Sequence, residues 1–129
     1  MTRALLVGLL LSLCMVRAAL GDDAAAGAIV FKKCMVCHAI GPDAVNKIGP
    51  ELNGVVGRPA GTVPSYNYSQ ANKSSGIVWS EEVLSRYLRD PRGVVPGTKM
   101  TFPGLKSADD IGNVIAYLKQ FGLDGKQTP

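Results

Sequence analysis

The sequence predicts a small all-α domain, and three observations support that fold class. Apolar residues recur at helical spacing in two segments, residues 83–88 and 111–121. Residues 41–65 hold nine Gly or Pro among few periodic apolar residues, which predicts a long loop. No stretch alternates apolar and polar residues for long enough to predict a sheet. The 129 residues leave room for one domain, and a composition of 47% hydrophobic and 19% charged residues is globular.

Residues 1–21 are typical of a secretory signal peptide. An apolar run of 13 residues follows Arg3, and small residues come after it. We expect cleavage after Gly21, or alternatively after Ala18, and a folded domain over residues 22–129. The run is short for a membrane span, and an uncleaved anchor is the alternative. In a bacterium, export of this kind predicts a periplasmic location.

Removal of this leader changes the charge and the cysteine inventory. The whole chain has 14 basic and 10 acidic residues, and the loss of two leader arginines leaves 12 basic residues and a net charge of +2. Cys14 is an ordinary apolar member of the leader run, so the mature chain keeps Cys34 and Cys37. His38 is the one histidine of the sequence, which excludes metal sites that need two imidazoles.

The first element of the domain is predicted to be a helix that begins at Asp22 and Asp23 and leads to Cys34. Acidic residues are favourable near the positive N-terminal end of a helix. Gly27 lies inside this pattern, where a glycine costs about 1 kcal/mol relative to alanine, and Gly112 repeats the feature in the last helix. We therefore expect the first and last helices to cross closely.

The segment CMVCH, residues 34–38, follows this helix and matches the attachment signature of c-type haem. Two thiols about one helical turn apart can each add to a haem vinyl group, and His38 then faces the iron from the same side. A disulfide between Cys34 and Cys37 would close a tiny loop and stabilise little. A zinc site lacks a fourth His or Cys ligand in the mature chain. A thioredoxin-like dithiol would need a βαβ setting, which the sequence does not show.

Such a haem needs a second axial ligand, and Met100 is the candidate. Met35 lies inside the attachment turn, and the two other methionines belong to the leader. Met100 stands in VVPGTKMTFPGL, where prolines and glycines on both sides predict a rigid loop. A methionine that merely fills the core is the alternative. A thioether ligand favours reduced iron and raises the reduction potential.

Three further helices are predicted along the rest of the domain. A single turn is expected at 69–73, and Ser80 caps a longer helix that Pro91 ends. Ser107 begins the last helix with a pattern similar to a capping box, and Gly122 is expected to close it. A small domain so rich in loops lacks apolar area for stability, and a covalently held haem would supply the missing core.

The sequence resembles the class I cytochromes c. The segments CMVCH, IGPELNGVVGRPAG, YNYSQANKSSGIVW, YLRDPRGVVPGTKM and IAYLK appear in the same order and at nearly the same spacing as in that family, over roughly residues 26–121. The similarity is greatest to the bacterial c2 and mitochondrial members. It implies a small haem-wrapped cytochrome c fold over 22–129, with three main helices, short helices and Ω-like loops. It also implies one covalent haem c.

The resemblance further implies a role for each residue around the haem. Cys34 and Cys37 would hold it covalently, and His38 and Met100 would be the axial ligands. Pro50 would accept the Nδ1 proton of His38 through its carbonyl group. The residues implied to bond the propionates are Arg58, Tyr68 and Trp79, and those implied for the polar network beside the methionine are Asn72, Tyr87 and Thr98, with Tyr87 donating to the sulfur.

The function implied is that of a soluble, periplasmic one-electron carrier that is not an enzyme. Cytochrome bc1 would be the donor, and a photosynthetic reaction centre or a terminal oxidase the acceptor. The protein would meet membranes only through these partners, act as a monomer and bind no nucleic acid. The alternatives are a haem c enzyme or gas sensor with an open sixth position, and a redox dithiol or metal-binding module. With no second histidine, peroxidase-type chemistry is poorly equipped.

A ring of basic residues is predicted around the exposed haem edge as the docking surface for these partners. Complementary charge speeds encounter more than it tightens binding. Basic residues that only solubilise the surface are the alternative. The candidates are Lys32, Lys33, Lys47, Arg92, Lys99 and Lys106, whereas Asp22, Asp23, Asp109, Asp110 and Asp124 are expected to lie elsewhere.

Overall fold

The computed structural model describes residues 22–129, so the predicted signal peptide lies outside the described residues. The helices are α1 (Ala24–Phe31), α2 (Gln70–Lys73), α3 (Glu81–Arg89), α4 (Pro91–Val94) and α5 (Ala108–Lys119). In this part of the chain, β pairing is limited to two isolated bridges, Pro59 with Val78 and Phe121 with Gln127. The predicted all-α class is confirmed. None of the helices within 22–129 is long and apolar enough to cross a membrane.

Helix α1 packs closely across α5, as its internal glycine predicts. A Cβ atom at Gly27 would lie only 2.8 Å from the Cβ of Tyr117 and would overlap the carbonyl group of Asn113. The rings of Phe31 and Tyr117 meet at 5.3 Å between centroids. The carboxylate of Asp23 accepts hydrogen bonds from the first turn of α1, and its own N–H donates to the Asn113 side chain at 2.9 Å. This crossing fixes where the cysteine turn begins.

Helix α3 begins as predicted, but its end starts another helix. The Ser80 hydroxyl accepts the N–H of Val83 at 3.2 Å, and α3 turns an apolar face to the core. Pro91 was predicted only to end α3. It also occupies the first turn of α4, whose N-cap Asp90 accepts the N–H of Gly93 at 3.0 Å. A proline at this position stops one helix and pre-sets the backbone for the next, so both outcomes share one cause.

The start of α5 matches the prediction, and its end does not. The Ser107 hydroxyl accepts the N–H of Asp110 at 3.2 Å. The helix ends at Lys119, with Gln120 as its C-cap in a right-handed conformation, so the prediction that Gly122 closes it is wrong. The reason is that the chain folds back, and the N–H of Thr128 donates to the Gln120 carbonyl at 2.8 Å. That bond satisfies the Gln120 carbonyl, and the Leu118 carbonyl accepts the N–H of Phe121 at 3.2 Å, so the helix ends without a left-handed glycine.

The segment 41–65 contains no helix, in agreement with its predicted loop character. Separate backbone hydrogen bonds and side-chain bonds to the backbone hold it in place, because it has no ladder of its own. The buried amide of Asn53 exchanges two hydrogen bonds with the backbone of Gly41, both at 2.8 Å. Val55 from this loop joins the apolar core formed by α1, α3 and α5. These contacts hold the loop in a fixed position against the core.

We predict that Gly27→Ala destabilises the protein although alanine is the better helix former. The added methyl group must displace Asn113 or separate α1 from α5, and overpacking of this kind costs about 1–3 kcal/mol. Urea unfolding followed by circular dichroism would measure the loss. Gly122→Ala is the control, because its Cβ would lie 3.1 Å from a carboxylate oxygen of Asp124 and 4.0 Å from the Lys126 carbonyl oxygen, without overlapping the backbone. Equal stability of the Gly27→Ala and parental proteins would contradict the packing argument.

Candidate functional site

A cavity of about 360 Å³ lies between the helices and the loops that join them. Pockets of this size hold small cofactors. Its wall brings together residues that are far apart in the sequence, including every residue predicted to contact the haem or its iron. Those eleven residues are Cys34, Cys37, His38, Pro50, Arg58, Tyr68, Asn72, Trp79, Tyr87, Thr98 and Met100.

The imidazole of His38 is held in one orientation. Its Nδ1 donates to the Pro50 carbonyl oxygen at 2.7 Å, which leaves the Nε2 lone pair available to a metal. Burial lowers the pKa of His38, so the ring is neutral near pH 7, as a metal ligand must be. Gly49 makes this packing possible, because a Cβ there would lie 2.7 Å from Nδ1 and overlap the ring.

The thiols of the two cysteines are free. Backbone bonds from Cys37 and His38 to the Cys34 carbonyl, at 3.1 and 2.9 Å, wind the motif into a single turn after α1. Burial raises the pKa of the Cys34 thiol to about 11. A redox dithiol needs a lowered thiol pKa, because the thiolate is the reactive form. The environment of Cys34 therefore disfavours the dithiol alternative.

Arg58 is a buried cation in the cavity wall. Its guanidinium donates to the Asn53 carbonyl at 2.6 Å and to the Glu51 carbonyl at 3.3 Å, and the Glu51 carboxylate lies 3.7 Å away. Burial lowers the pKa of Arg58, while Tyr68 and Glu51 oppose that shift. The Tyr68 hydroxyl accepts the N–H of Val63 at 3.1 Å, so its own O–H can still donate into the cavity.

A polar network joins α3 to the Met100 loop. The hydroxyl groups of Tyr87 and Thr98 are 3.2 Å apart, and the Thr98 hydroxyl also accepts the N–H of Met100 at 3.2 Å. Burial raises the pKa of Tyr87, and hydrogen bonding with Thr98 and Asn72 opposes the rise. Within residues 22–129, the Tyr87 hydroxyl makes no hydrogen bond with the Met100 sulfur, so that implied bond stays a prediction.

The six predicted docking residues are all exposed, but only two line the cavity mouth. These are Lys33 and Lys99. The ammonium group of Lys99 bonds to the Asn67 carbonyl and lies 5.7 Å from the ring centre of Tyr66. The expectation that Asp110 lies away from the basic residues is wrong. Its carboxylate is 3.9 Å from Lys33, because the close crossing of α1 and α5 brings the end of one helix to the start of the other. The four docking candidates that do not line the cavity are Lys32, Lys47, Arg92 and Lys106.

Several wall residues were not predicted. The Tyr66 hydroxyl donates to the Ile48 carbonyl at 2.6 Å and ties the segment after the loop to the segment that holds His38. Glu51 was also missed, although it lies behind Arg58 and does not line the cavity; its sequence signal is its place between Pro50 and Leu52 in IGPEL, where an acid interrupts apolar residues. Some apolar wall residues that were missed carry only helical spacing as a signal, namely Leu84, Val114 and Leu118, whereas Leu52 and Phe102 lie in loops and carry no such signal.

Comparison with known proteins settles the family of this fold. The cytochrome c family model matches residues 24–122. The chain belongs to the cytochrome c family. A cytochrome c2 from Blastochloris viridis is 51% identical over 125 residues, covering 97% of this chain and 98% of the relative. A cytochrome c-550 from Bradyrhizobium diazoefficiens is 53% identical over 103 residues, covering 80% of this chain and 76% of the relative.

Solved structures agree with this assignment. Cytochrome c2 from Rhodospirillum centenum superposes with a TM-score of 0.74 at 42% identity, covering 78% of this chain and 98% of that one. Cytochrome cH from Methylobacterium extorquens gives a TM-score of 0.71 at 45% identity, covering 75% and 97%. The protein is thus a cytochrome-type electron carrier, and it carries one covalently attached haem c.

The residues of the cavity fit this cofactor. Two free thiols stand one turn apart at the wall, beside an imidazole whose Nδ1 already has a partner. Buried apolar side chains form much of the remaining wall and suit a porphyrin face. The indole nitrogen of Trp79 has no acceptor among residues 22–129, so it remains free to bond an anionic group of the haem.

We predict that Gly49→Ala disturbs haem binding. The added methyl group would push the His38 ring from its hydrogen bond with the Pro50 carbonyl, and the cost of such overpacking is about 1–3 kcal/mol. The yield of haem-loaded protein and its midpoint in urea should both fall. Val45→Ala, at an exposed position of the same loop, is the control. A parental yield and urea midpoint for Gly49→Ala would refute the steric role of this glycine.

Proposed function

We propose that the protein is a periplasmic one-electron carrier whose haem c is held by Cys34 and Cys37 and ligated by His38 and Met100. The observation that carries the proposal is that all eleven residues with an expected haem role line one cavity. Haem c supplies an iron that changes between the ferrous and ferric forms. The chain's task is to keep both axial ligands in place through that change, so that little reorganises and transfer is fast.

Contacts on both sides of the cavity suit this task. The bond from His38 to the Pro50 carbonyl orients the imidazole and raises its basicity. The bonds that join Tyr87, Thr98 and the N–H of Met100 restrain the methionine loop. Arg58, Tyr68 and Trp79 supply donors for the propionates, whose burial without partners would be costly. An enzyme or gas sensor would instead need an open sixth position.

The partners and location follow from the same proposal. Residues 1–21 direct export to the periplasm, and the mature domain is a monomeric carrier rather than an enzyme. Its donor is cytochrome bc1, its acceptor is a photosynthetic reaction centre or a terminal oxidase, and it binds no nucleic acid. Contact with the membrane occurs only through these complexes. The supporting observations are the leader pattern and the six exposed basic residues described above.

We predict that Met100→Ala removes the weak far-red band that sulfur ligation gives ferric haem. The reduction potential should fall by a sizeable part of the ~0.8 V range over which axial ligands set haem potentials, because the thioether favours reduced iron. Absorption spectra and redox titration would measure both changes. Met35→Ala, at an exposed position in the attachment turn, should leave both unchanged. A band and potential that persist in Met100→Ala would sink the His/Met assignment and favour an open sixth position.

We predict that electron transfer to an acidic partner slows steeply as salt is added. Steering by opposite charges raises association rates about 10–10³-fold, and physiological salt screens it beyond about 8 Å. Lys33→Glu, at a residue that lines the cavity and pairs with Asp110, should lower the rate at low salt and flatten the salt dependence. Lys126→Glu makes the same charge change at a residue that pairs with Asp124 and does not line the cavity, so its effect should be smaller. Stopped-flow rates that do not respond to salt would reject the basic docking surface.

A further inference from the structure

Glu51 carries a half-buried carboxylate that has no part in the electron-transfer function described above. Its side chain is 20% exposed, and Oε1 lies 3.7 Å from Nη1 of Arg58. Its Oε2 accepts the N–H of Asn53 at 2.6 Å, which holds the carboxylate in this position. Arg58 lines the cavity, whereas Glu51 does not. The acid therefore stands outside the cavity wall, against the guanidinium that forms part of it.

Arg58 differs from the other cations at the cavity. Lys33 and Lys99 also line it, but both are exposed, so water and salt screen their charges. The Arg58 side chain is only 10% exposed. A charge in such surroundings acts across a lower effective dielectric constant and is felt more strongly inside the cavity. Glu51, which balances the charge of Arg58, can therefore change the electrostatic potential inside the cavity.

The backbone keeps the pair together. The guanidinium of Arg58 donates to the carbonyl oxygens of Asn53 and Glu51, at 2.6 and 3.3 Å, so arginine and acid are fixed to one turn of the loop. The N–H of Glu51 donates to the Asn46 side chain at 3.0 Å, which anchors the same turn from the other side. The carboxylate is a fixed part of the loop rather than a freely moving surface group.

We propose that Glu51 lowers the reduction potential of the haem by countering the charge of Arg58. The inference rests on the proposed function. Oxidation adds one positive charge to the haem, so a nearby carboxylate stabilises the ferric form and a nearby guanidinium stabilises the ferrous form. Glu51 also weakens the attraction of Arg58 for the haem propionates, because its carboxylate lies 3.7 Å from the guanidinium. Both effects lower the potential, and loss of the carboxylate charge reverses both.

Redox titration of Glu51→Gln in the haem-loaded protein tests this role. The amide keeps the size of the side chain and an oxygen that can accept the N–H of Asn53, but it removes the charge. The midpoint potential should shift upward while the far-red sulfur band stays unchanged. Glu51→Asp retains the charge and should stay closer to the parental potential. Glu51→Asn, compared with Glu51→Asp, repeats the test at the shorter length in case the glutamine variant does not load haem.

Glu81→Gln is the matched control. Glu81 also forms an ion pair, with Lys119 at 3.1 Å, but its side chain is 55% exposed and its partner, unlike Arg58, does not line the cavity. This substitution should leave the potential where it is. An upward shift confined to the neutral Glu51 variants supports the proposal.

An unchanged or lower potential in both neutral variants, with the sulfur band intact, would overturn this inference and leave the proposed function standing. An equal upward shift in Glu51→Asp or in Glu81→Gln would also overturn it, because the charge at Glu51 would not be the cause. A parental protein that lacks the sulfur band or a reversible one-electron titration would overturn the proposed function, and this inference with it.

Discussion

The hydrogen bond from His38 to the Pro50 carbonyl joins the two segments on which the rest of the site depends. His38 follows α1 directly, so its place is set by the crossing of α1 over α5 at Gly27. Pro50 begins the part of the loop that carries Glu51 and Arg58. One bond of 2.7 Å therefore relates the haem attachment turn to the charged wall of the cavity. Gly49 allows the approach, because any side chain there would meet the imidazole.

The domain uses the haem as part of its core. Its helices are short, and residues 41–65 form no helix, so the apolar side chains that face the cavity come from several short helices and loops. The inner faces of α3 and α5 and the loops meet around the cavity instead of filling it. A planar apolar cofactor, tethered covalently, completes contacts that the side chains leave open. Stability and function consequently depend on the same group.

Charged residues act differently at the exposed surface and at the wall of the cavity. Exposed lysines act at a distance through water, where their effect on partners depends on salt. The half-buried pair of Arg58 and Glu51 is less screened and acts on the interior of the cavity. The ion pair between Lys33 and Asp110 lies at the exposed surface, and it reduces the local charge that Lys33 contributes to docking.

The sequence was sufficient for features that are encoded locally. The motif CMVCH, the caps Ser80 and Ser107 and the loop of 41–65 all follow from patterns within a few residues. The features that were missed or wrong join residues far apart in the chain. The end of α5 depends on a bond from Thr128, and the neighbour of Lys33 depends on how α1 crosses α5. No local pattern contains such contacts, because tertiary packing creates them.

The central claim is that haem is bound covalently by the two cysteines of the turn after α1. Trypsin cleaves after Lys33 and Lys47, so both thiols fall on the peptide of residues 34–47. After acid–acetone extraction of the purified protein, mass spectrometry should find this peptide heavier by one haem, and the solvent should be colourless. Double replacement, Cys34→Ser with Cys37→Ser, should yield little stable haem protein. Recovery of the unmodified 34–47 peptide, with the haem in the solvent, would contradict the account.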